Sequence, residues 1–442
     1  MTNRRDFLAL GTGACGALAL SPGSLFASEA ARQAALGEWL RTTLPGADTS
    51  PDALADDERF WAGVRRGYSL DPKLVNLDHG WTNPPPREAV DALVRGARDV
   101  ELLPADRLPR YWDETTNTTV RAAIAEVMGV PGTELALVRN ATEALDTVLL
   151  GVPLQRGDEV VCSAHDYYAM LDALDQRQAR DGVVLRMLRP PVPAPSMDAL
   201  AEMYEAAIGP RTRLVLLTNP SNLTGQLLPV RRIADAAHAA GAEVAVDGAQ
   251  SLGLVRDPVT SLECDYYGAS LHKWLGAPVG MGVLWMRPAH VAKVWPLLPP
   301  GPGTTGMSRF EWIGTNPEYV GPALLPALQV QQRLGAERKV ARLRYLARYW
   351  RTRAAGALPG ARFYTDDGET TSCGLCVVEI PGADSTAIQK RLRERHGVLV
   401  QAMSGARAPE IRGIRVTPNV YTSLGELDRF LEGLVESAKA GG

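Results

Sequence analysis

Short apolar runs alternate with amphipathic stretches through the middle of the chain. The segments ELALVRN and DEVVCSA have the pattern of strands, whereas VRAAIAEVMG and ATEALDTVLLG have the period of helices. RLVLLTNPSNLTG and AEVAVDGAQS are predicted to be further strands that end in turns. Because strands that alternate with helices pair in parallel, this order predicts an α/β fold, with a mostly parallel sheet and helices on both faces.

Different patterns flank this region. A helical, charged stretch reaches about Tyr68, and VNLDHGWTNPPPREAVDAL predicts a short strand, a loop and the start of a helix. A long helical region is predicted from about Tyr319 to Gly356, and the strands and helices after it indicate a smaller C-terminal α+β domain. We therefore divide the chain into a signal segment (1–30), an N-terminal segment (31–90), a large domain (91–318), and a long helix with the small domain (319–442).

The first 30 residues have the pattern of a signal peptide, with a basic start, an apolar stretch from Phe7 to Leu20 and small residues near the end. Arg4 and Arg5 are adjacent and precede the apolar stretch, which favours a twin-arginine signal for export of a folded protein. The alternatives are a general secretory signal and a lipoprotein signal that uses Cys15. We predict a periplasmic or otherwise exported protein.

The composition of the chain indicates which kind of ligand the protein binds. The chain has 442 residues, of which 45% are hydrophobic, and its 47 basic and 50 acidic residues form no long run of one sign. Nucleic-acid binding is therefore not indicated, and we expect a small-molecule substrate and no membrane association after export. Cys373 and Cys376 have the spacing of a redox or metal pair, but residues three apart on a strand face opposite ways. We interpret both as buried apolar residues and predict no metal site.

One lysine has an unusual setting. Lys273 lies in SLHKWLGAP, which is too apolar and too rich in small residues for a solvated loop. A lysine amine titrates near pH ~10.4 and is a poor nucleophile at neutral pH, but a Schiff base with an aldehyde cofactor makes it reactive. Pyridoxal phosphate also needs a carboxylate at its ring nitrogen, and Asp247 follows an apolar strand where an unpaired carboxylate would be costly.

The other requirements of this cofactor also have candidates at strand ends. Asn140 to Thr142 lie between a strand and a helix, where backbone N–H groups, a hydroxyl and the helix dipole can hold a phosphate. Ser270 and His272 can add hydrogen-bond donors, and Tyr167 can stack on the ring. Each signal is weak alone, since such residues are more often helix caps or packing residues. Their order within one α/β domain is what predicts pyridoxal phosphate.

The motifs RNATEAL, VDGAQ and SLHKWLGAPVGMGVLW resemble those of fold-type I pyridoxal-phosphate enzymes of the class V aminotransferase family. This family includes cysteine desulfurases and isopenicillin N epimerase-like proteins. The resemblance implies a large domain with a seven-stranded type of sheet, in which Lys273 carries the cofactor and shuttles protons. It further implies that Asp247 pairs with the ring nitrogen, Gln250 bonds the ring oxygen and Tyr167 stacks. The remaining cofactor-binding residues implied are Ala141, Thr142, Asn219, Ser270 and His272.

Two further positions follow from the resemblance. Gly314 and Thr315 are similar to a segment that reaches the phosphate of a neighbouring subunit, which implies a homodimer with composite sites. Arg415 resembles the arginine that holds the α-carboxylate of the substrate, with Arg412 as its nearest rival and a surface position as the alternative. His79, Trp81 and Tyr168 are candidates to line the site.

The chain departs from the desulfurase pattern. The segment GVLVQAMSGARAPEIRG lacks the nucleophilic cysteine of that branch, and Tyr167 stands where desulfurases usually have histidine. Gln250 stands where the epimerase-like branch often has histidine. The resemblance implies an exported enzyme that acts at the α-carbon of an amino-acid group. Transamination is favoured, and the candidate substrate is a siderophore or another secondary metabolite, as in an exported member of this branch. An epimerase, a carbon–sulfur lyase and a non-catalytic binding protein are the alternatives.

Overall fold

The computed structural model describes residues 36–46, 49–112, 114–404 and 407–440, so the predicted signal peptide lies outside the described residues. The strands are β1 (Val75–Asn76), β2 (Leu135–Val138), β3 (Glu159–Ser163), β4 (Val184–Leu188), β5 (Thr212–Thr218), β6 (Glu243–Asp247), β7 (Tyr266–Ser270), β8 (Gly282–Met286), β9 (Arg362–Phe363), β10 (Cys376–Glu379), β11 (Val398–Leu399), β12 (Gln401–Ser404) and β13 (Arg412–Val416). The α-helices are α1 (Leu36–Thr43), α2 (Pro51–Ala55), α3 (Glu58–Arg65), α4 (Arg87–Leu102), α5 (Pro104–Tyr111), α6 (Glu114–Met128), α7 (Ala141–Gly151), α8 (Tyr168–Asp181), α9 (Met197–Ala207), α10 (Val230–Ala239), α11 (Pro288–Val291), α12 (Val320–Leu334), α13 (Ala336–Ala357), α14 (Ser385–His396) and α15 (Leu424–Ala440).

The large domain is built on a sheet of seven strands in the order β2-β8-β7-β6-β5-β3-β4. Strands β3 to β7 pair in parallel, and β8 runs antiparallel to both of its neighbours, β2 and β7. Alternate residues of β5 contribute to two different cores. Leu214 and Leu216 belong to one and Val215 and Leu217 to the other. Because both faces are covered, the strand is apolar from Leu214 to Leu217, and the predicted α/β fold is confirmed.

A smaller C-terminal domain carries a four-stranded antiparallel sheet in the order β12-β13-β10-β9. Its core includes Trp350 of α13 and Phe430 of α15, whose rings meet edge to face with centroids 5.8 Å apart. The short strand β1 pairs in parallel with β11, and Asp78 forms an isolated bridge with Thr417. The chain near residue 78 is thereby brought beside β13.

The long helical region is two helices, α12 and α13, which differs from the prediction of one. Gly335 separates them with φ of +76°, a conformation that other residues rarely adopt. Its N–H donates to the carbonyl of Gln331 and ends the first helix. Alanine periodicity continues on both sides of this glycine, so the sequence pattern alone did not reveal the break.

Cys373 precedes β10 and Cys376 begins it. The observed strand is therefore shorter than the strand that the apolar sequence pattern predicts. Both thiols are free and buried, in agreement with their interpretation as apolar packing residues. Within the described residues, no helix is long and apolar enough to cross a membrane.

Candidate functional site

The predicted site residues meet at one edge of the large sheet. Asp247 ends β6, Ser270 ends β7, and Asn219 directly follows β5. The loop after β2 leads into Ala141, the first residue of α7. These strands are parallel, so their carboxyl ends lie side by side, which is where ligands bind in open α/β sheets.

Lys273 lies in the turn after β7 and is half-buried. The pKa of this amine is lowered to about 8, mainly by burial; the charge of Asp247 opposes the shift and the charge of Arg415 adds to it. A larger fraction of this amine than of a free lysine is therefore uncharged near neutral pH, which favours its use as a nucleophile or general base.

Asp247 is the carboxylate beside this lysine, and it is 2% exposed. Its Oδ1 accepts a hydrogen bond from the backbone N–H of Ala249 at 3.0 Å. Burial raises the pKa of its carboxyl group, and the charge of Lys273 opposes the shift. A carboxylate this deeply buried is costly unless it is paired, so its position suits a protonated ring nitrogen.

The amino-terminal end of α7 forms the candidate phosphate site. Asn140 caps the helix, and its Oδ1 accepts from the N–H of Glu143 at 2.9 Å. The N–H of Ala141 donates to Oγ of Ser270 at 2.9 Å, which joins two of the predicted phosphate ligands, and half-buried Thr142 follows in the first turn. A Cβ on Gly282 would lie 2.5 Å from Cα of Asn140, so only glycine allows β8 to pass this loop. The helix dipole and N–H groups here favour an anion.

His272 supplies a buried polar atom that no group in the described chain satisfies. Its Nδ1 has no hydrogen-bond partner. Burial, together with the charge of Lys273, lowers the pKa of the ring to about 4, so the imidazole is neutral at physiological pH. A buried nitrogen in this condition indicates a place for a ligand oxygen.

Two predicted cofactor ligands are already engaged by the protein. Nε2 of Gln250 donates to the carbonyl of Gly80 at 2.8 Å, and its Oε1 accepts from the indole of Trp274 at 2.7 Å. Oδ1 of Asn219 accepts from the N–H of Leu228 at 2.9 Å. Gln250 therefore keeps one amide hydrogen for a cofactor oxygen, and its other contacts fix the site.

Tyr167 directly precedes α8 and is half-buried. Its ring lies 4.5 Å from that of Tyr168, which is 60% exposed. Burial raises the pKa of the Tyr167 hydroxyl, and the neighbouring Tyr168 and Asp247 add to the shift. The Tyr167 hydroxyl is therefore protonated at physiological pH.

The two candidate arginines occupy different environments. Arg415 is 7% exposed, and its Nη1 donates to the carbonyl of Asn222 at 3.0 Å. Its Nη2 donates to Oδ1 of Asp78 at 2.8 Å, and its Nε is buried without a partner in the described chain. Arg412 begins the same strand, but it is exposed and bonds the carbonyl of Pro409. Arg415 is therefore the arginine that faces Lys273.

Asp78 is a site residue that the sequence analysis missed. It follows β1 in the segment VNLDHG, about 340 residues before Arg415, and no local pattern links the two. The parallel bridge from Asp78 to Thr417 brings it beside Arg415. An acidic residue directly after a short apolar strand and before Gly80 was the available signal, but its partner could not be assigned from sequence.

The remaining candidates differ in their exposure. Thr315 is exposed in the loop after Gly314, and its neighbours Ile313 and Asn316 line a cavity of about 460 Å³ together with His272. Trp81 is 71% exposed. His79 is buried against the ring of Tyr421, and burial lowers its pKa to about 3. The described residues contain no cluster of side chains suited to a metal ion.

Together these features fit pyridoxal phosphate. The end of α7 with Ser270 suits the phosphate, Asp247 suits the ring nitrogen, and the amine of Lys273 suits the aldehyde carbon. The unsatisfied Nδ1 of His272 provides an independent indication of a ligand at this place.

Comparison with known proteins gives one family. A profile of the aminotransferase class-V family matches residues 77–425. The chain is 31% identical over 405 residues to isopenicillin N epimerase of Amycolatopsis lactamdurans, covering 86% of this chain and 99% of that enzyme. It is 30% identical over 349 residues to a probable cysteine desulfurase of Mycolicibacterium paratuberculosis, covering 73% of this chain and 49% of that protein.

A solved structure gives the same fold. A mutant of C-DES with glycine covalently linked to its pyridoxal phosphate cofactor superposes with a TM-score of 0.74 at 22% identity, covering 84% of this chain and 99% of that one. The profile spans most of the described sequence, and the epimerase is matched along almost its whole length. The chain therefore belongs to the aminotransferase class-V family.

Proposed function

We propose that this protein is a pyridoxal-phosphate-dependent enzyme that removes a proton from the α-carbon of an amino acid or an amino-acid-like group. The observation that carries the proposal is the half-buried amine of Lys273, which interacts with the buried carboxylate of Asp247 and has its pKa lowered to about 8. Family membership and the fit of the site both support the predicted cofactor.

When bound, pyridoxal phosphate supplies an electron sink that makes the α-proton of a linked amine acidic. The protein residues have separate tasks around it. The amine of Lys273 would hold the cofactor, and with a substrate amine in its place the freed Nζ would be the group that accepts the α-proton. Asp247 keeps a positive charge on the ring nitrogen, and α7 with Ser270 holds the phosphate. Arg415 offers its free Nε and remaining Nη hydrogens to the carboxylate of the substrate.

The fate of the proton distinguishes the candidate reactions. In transamination, which the sequence favours, the proton held by Nζ of Lys273 would not return to the α-carbon. In epimerisation, a group on the opposite face returns it to the α-carbon. The similarity to isopenicillin N epimerase along almost its whole length supports this second candidate. His79 is a poor acid for that step, because its low pKa leaves the ring neutral.

The cysteines argue against sulfur transfer through a protein thiol. Each of the four described cysteines is buried, and burial raises the pKa of each thiol, so none forms a thiolate readily. No cysteine follows Cys376 in the sequence. A carbon–sulfur lyase that needs no protein thiol is still a possible outcome of the substrate test.

The first experiment is borohydride reduction of the protein loaded with pyridoxal phosphate, followed by peptide mapping. The chain offers an internal control, because Lys339 is a second buried lysine whose pKa burial lowers, to about 7. We expect the label on Lys273 and none on Lys339. A label on Lys339 alone, or no label on a loaded protein, would contradict the proposed role of Lys273.

The second experiment separates the reactions. Candidate amino acids are incubated with the loaded protein in D₂O. Deuterium at an α-carbon of inverted configuration, with an unchanged cofactor spectrum, indicates epimerisation, and loss of the aldehyde form of the cofactor indicates transamination. Release of pyruvate and sulfide from cysteine-like substrates indicates a lyase. If Lys273→Ala exchanges the α-proton as fast as the parent protein, Lys273 is not the base.

Export is a further part of the proposal, and it rests on the sequence of residues 1–30 alone. The twin-arginine route carries folded proteins, so a cofactor could be bound before export. A reporter fused to residues 1–30 should reach the periplasm only when the twin-arginine translocase is present. Replacement of both Arg4 and Arg5 by lysine should abolish this export. Export that persists in either case would favour a general secretory signal.

A homodimer with composite sites is also proposed. Thr315 is exposed, and so are the apolar side chains of Trp81 and Val279, at 71% and 70%. Exposed apolar side chains of this size support a surface that a second subunit covers. Chains with Lys273→Ala and chains with Thr315→Glu should each be inactive. After unfolding and refolding as a mixture they should regain activity, because one mixed site has both native residues. No recovery from a mixture of refolded dimers would contradict shared sites.

A further inference from the structure

A second buried lysine lies behind the turn that carries Lys273. Lys339, in the first turn of α13, is 2% exposed. Burial lowers the pKa of its amine, and no neighbouring charge contributes to this shift. A methionine could fill similar space without the cost of burying an amine, so the polar group of Lys339 needs an explanation.

The contacts of Lys339 provide one. Its Nζ donates to the carbonyl of Trp274 and, at 2.9 Å, to Oε1 of Gln331. Nε2 of Gln331 donates in turn to the carbonyl of Leu275 at 3.0 Å. Two side chains that are bonded to each other therefore hold two successive carbonyls, and these are the two that follow Lys273.

The turn is closed in front as well. The N–H of Gly276 donates to the carbonyl of Lys273 at 3.0 Å. Behind it, a Cβ on Gly253 would lie 2.9 Å from both Nζ of Lys339 and the carbonyl oxygen of Trp274. Gly253 has φ of +83°, so its loop packs against this pair with no side chain between them. The amine of Lys339 is thus confined to the back of the turn.

The same contacts continue into the site. The indole of Trp274 donates to Gln250, and Gln250 donates to the carbonyl of Gly80. A Cβ on Gly80 would lie 3.4 Å from Cζ of Arg415. Hydrogen bonds therefore lead from Lys339 through the main chain and ring of Trp274 to the backbone beside the candidate carboxylate-binding arginine.

We propose that Lys339 is a positioning residue, which together with Gln331 fixes the main chain of the turn from Leu271 to Gly276 and so holds the amine of Lys273 beside Asp247. Lys339 touches neither substrate nor cofactor in this arrangement. The inference rests on the proposed role of Lys273, but its effect on the turn can be measured without cofactor.

The test compares three variants. Lys339→Met removes the hydrogen bonds from Nζ to the carbonyl of Trp274 and to Gln331. Gln331→Leu keeps Lys339 but removes the hydrogen bond to the carbonyl of Leu275. Arg177→Met is the matched control, because Arg177 is a 2% exposed cation that donates to the carbonyls of Leu149, Leu150 and Val152 at the opposite end of α7. The thermal midpoint of each cofactor-free variant measures the general loss of stability.

Two further measurements report on the turn. Hydrogen exchange of the peptide that covers the turn should be about fivefold to tenfold faster in Lys339→Met, because this variant lacks a hydrogen bond that fixes a carbonyl of the turn. Reductive trapping of pyridoxal phosphate on Lys273 should slow by about tenfold in the folded variant. Gln331→Leu should show smaller changes in the same direction, and Arg177→Met should lower the midpoint without either change.

The inference is overturned if Lys339→Met loses about as much stability as Arg177→Met but keeps the parent protein's rates of hydrogen exchange in the turn and of cofactor trapping on Lys273. If Lys339→Met does not fold, Gln331→Leu decides, and unchanged exchange in that variant overturns the inference. A parent protein that never traps cofactor on Lys273 would instead contradict the proposed function, while the exchange result would still report on the turn.

Discussion

Nη2 of Arg415 donates to Oδ1 of Asp78 at 2.8 Å, so the arginine expected to hold the carboxylate of the substrate already has a carboxylate beside it. Both side chains are largely buried, at 8% and 14% exposure. Asp78 compensates the charge of Arg415 when no substrate is bound. An incoming carboxylate can therefore accept a hydrogen bond from the unused Nε of Arg415, but it is repelled by the carboxylate of Asp78 at Nη2.

We therefore predict that Asp78→Asn strengthens the binding of substrates that carry an α-carboxylate, by about tenfold, because the competing negative charge is gone. The same variant should lower the free energy of unfolding, since Arg415 loses its charged partner in the free protein. Spectral titration of the loaded protein with amino acids measures the first effect, and denaturant unfolding measures the second. Asp235→Asn is the control, since Asp235 pairs with Arg231 on an exposed helix face. Unchanged affinity in Asp78→Asn would mean that Asp78 moves away before substrate binds.

Removal of Arg415 should weaken the same binding. Arg415→Ala is expected to cost roughly 2–5 kcal/mol, which raises the apparent dissociation constant by about 30-fold or more. An amine analogue without the carboxylate should bind both proteins equally. Arg412→Ala is the control on the same strand, because Arg412 is exposed and bonds a carbonyl. If Arg412→Ala weakens amino-acid binding and Arg415→Ala does not, the assignment of the two arginines is reversed.

Capture of the cofactor should depend on pH through Lys273. Only the uncharged amine attacks an aldehyde, so the rate at which cofactor-free protein captures pyridoxal phosphate should rise with pH and level off above about 8. Asp247→Asn removes the charge that raises the pKa of Lys273, so its midpoint should lie lower. Stopped-flow absorbance provides the rates. A midpoint near that of a free lysine, in the parent protein, would show that burial does not control this amine.

Stability should also depend on pH through the buried lysines. Burial lowers the pKa of Lys339 in the folded state to about 7, from 10.5, so the unfolded chain binds more protons between these values. The free energy of unfolding should therefore rise with pH across this window, with a contribution from Lys339 of about 1.4 kcal/mol per pH unit. Denaturant unfolding of the parent and Lys339→Met at several pH values gives the difference. Parallel pH dependences would contradict a neutral Lys339.

The buried thiols give a last prediction. Cys373→Ala and Cys376→Ser should each keep the α-proton exchange of the parent protein, because both thiols lie in packed interior positions and their pKa values are raised by burial. Deuterium incorporation measures the exchange, and Lys273→Ala is the inactive reference. Loss of exchange in a stable cysteine variant would require a catalytic thiol.

Several features followed from the sequence because they depend on short-range patterns. Apolar strands that alternate with amphipathic helices defined the α/β sheet, and the carboxyl ends of those strands placed Asp247, Ser270 and the start of α7 at one edge. Lys273 was identified because an amine within an apolar, small-residue segment is unusual. Hydrophobic periodicity and helix capping depend on residues only a few positions apart, so both can be recognised in the amino-acid sequence.

Tertiary structure decided the contacts between distant segments. The parallel bridge from Asp78 to Thr417 brings Asp78 to Arg415, and the positive φ of Gly335 turns one predicted helix into two. The link from Lys339 to Trp274 joins α13 to the turn of Lys273 across 65 residues. The sequence by itself determined which residues could do chemistry, and the packing of the two domains decided which charges they meet. Burial and charge pairing depend on neighbours that are distant in the chain, and these set the pKa of Lys273 and the charge state around Arg415.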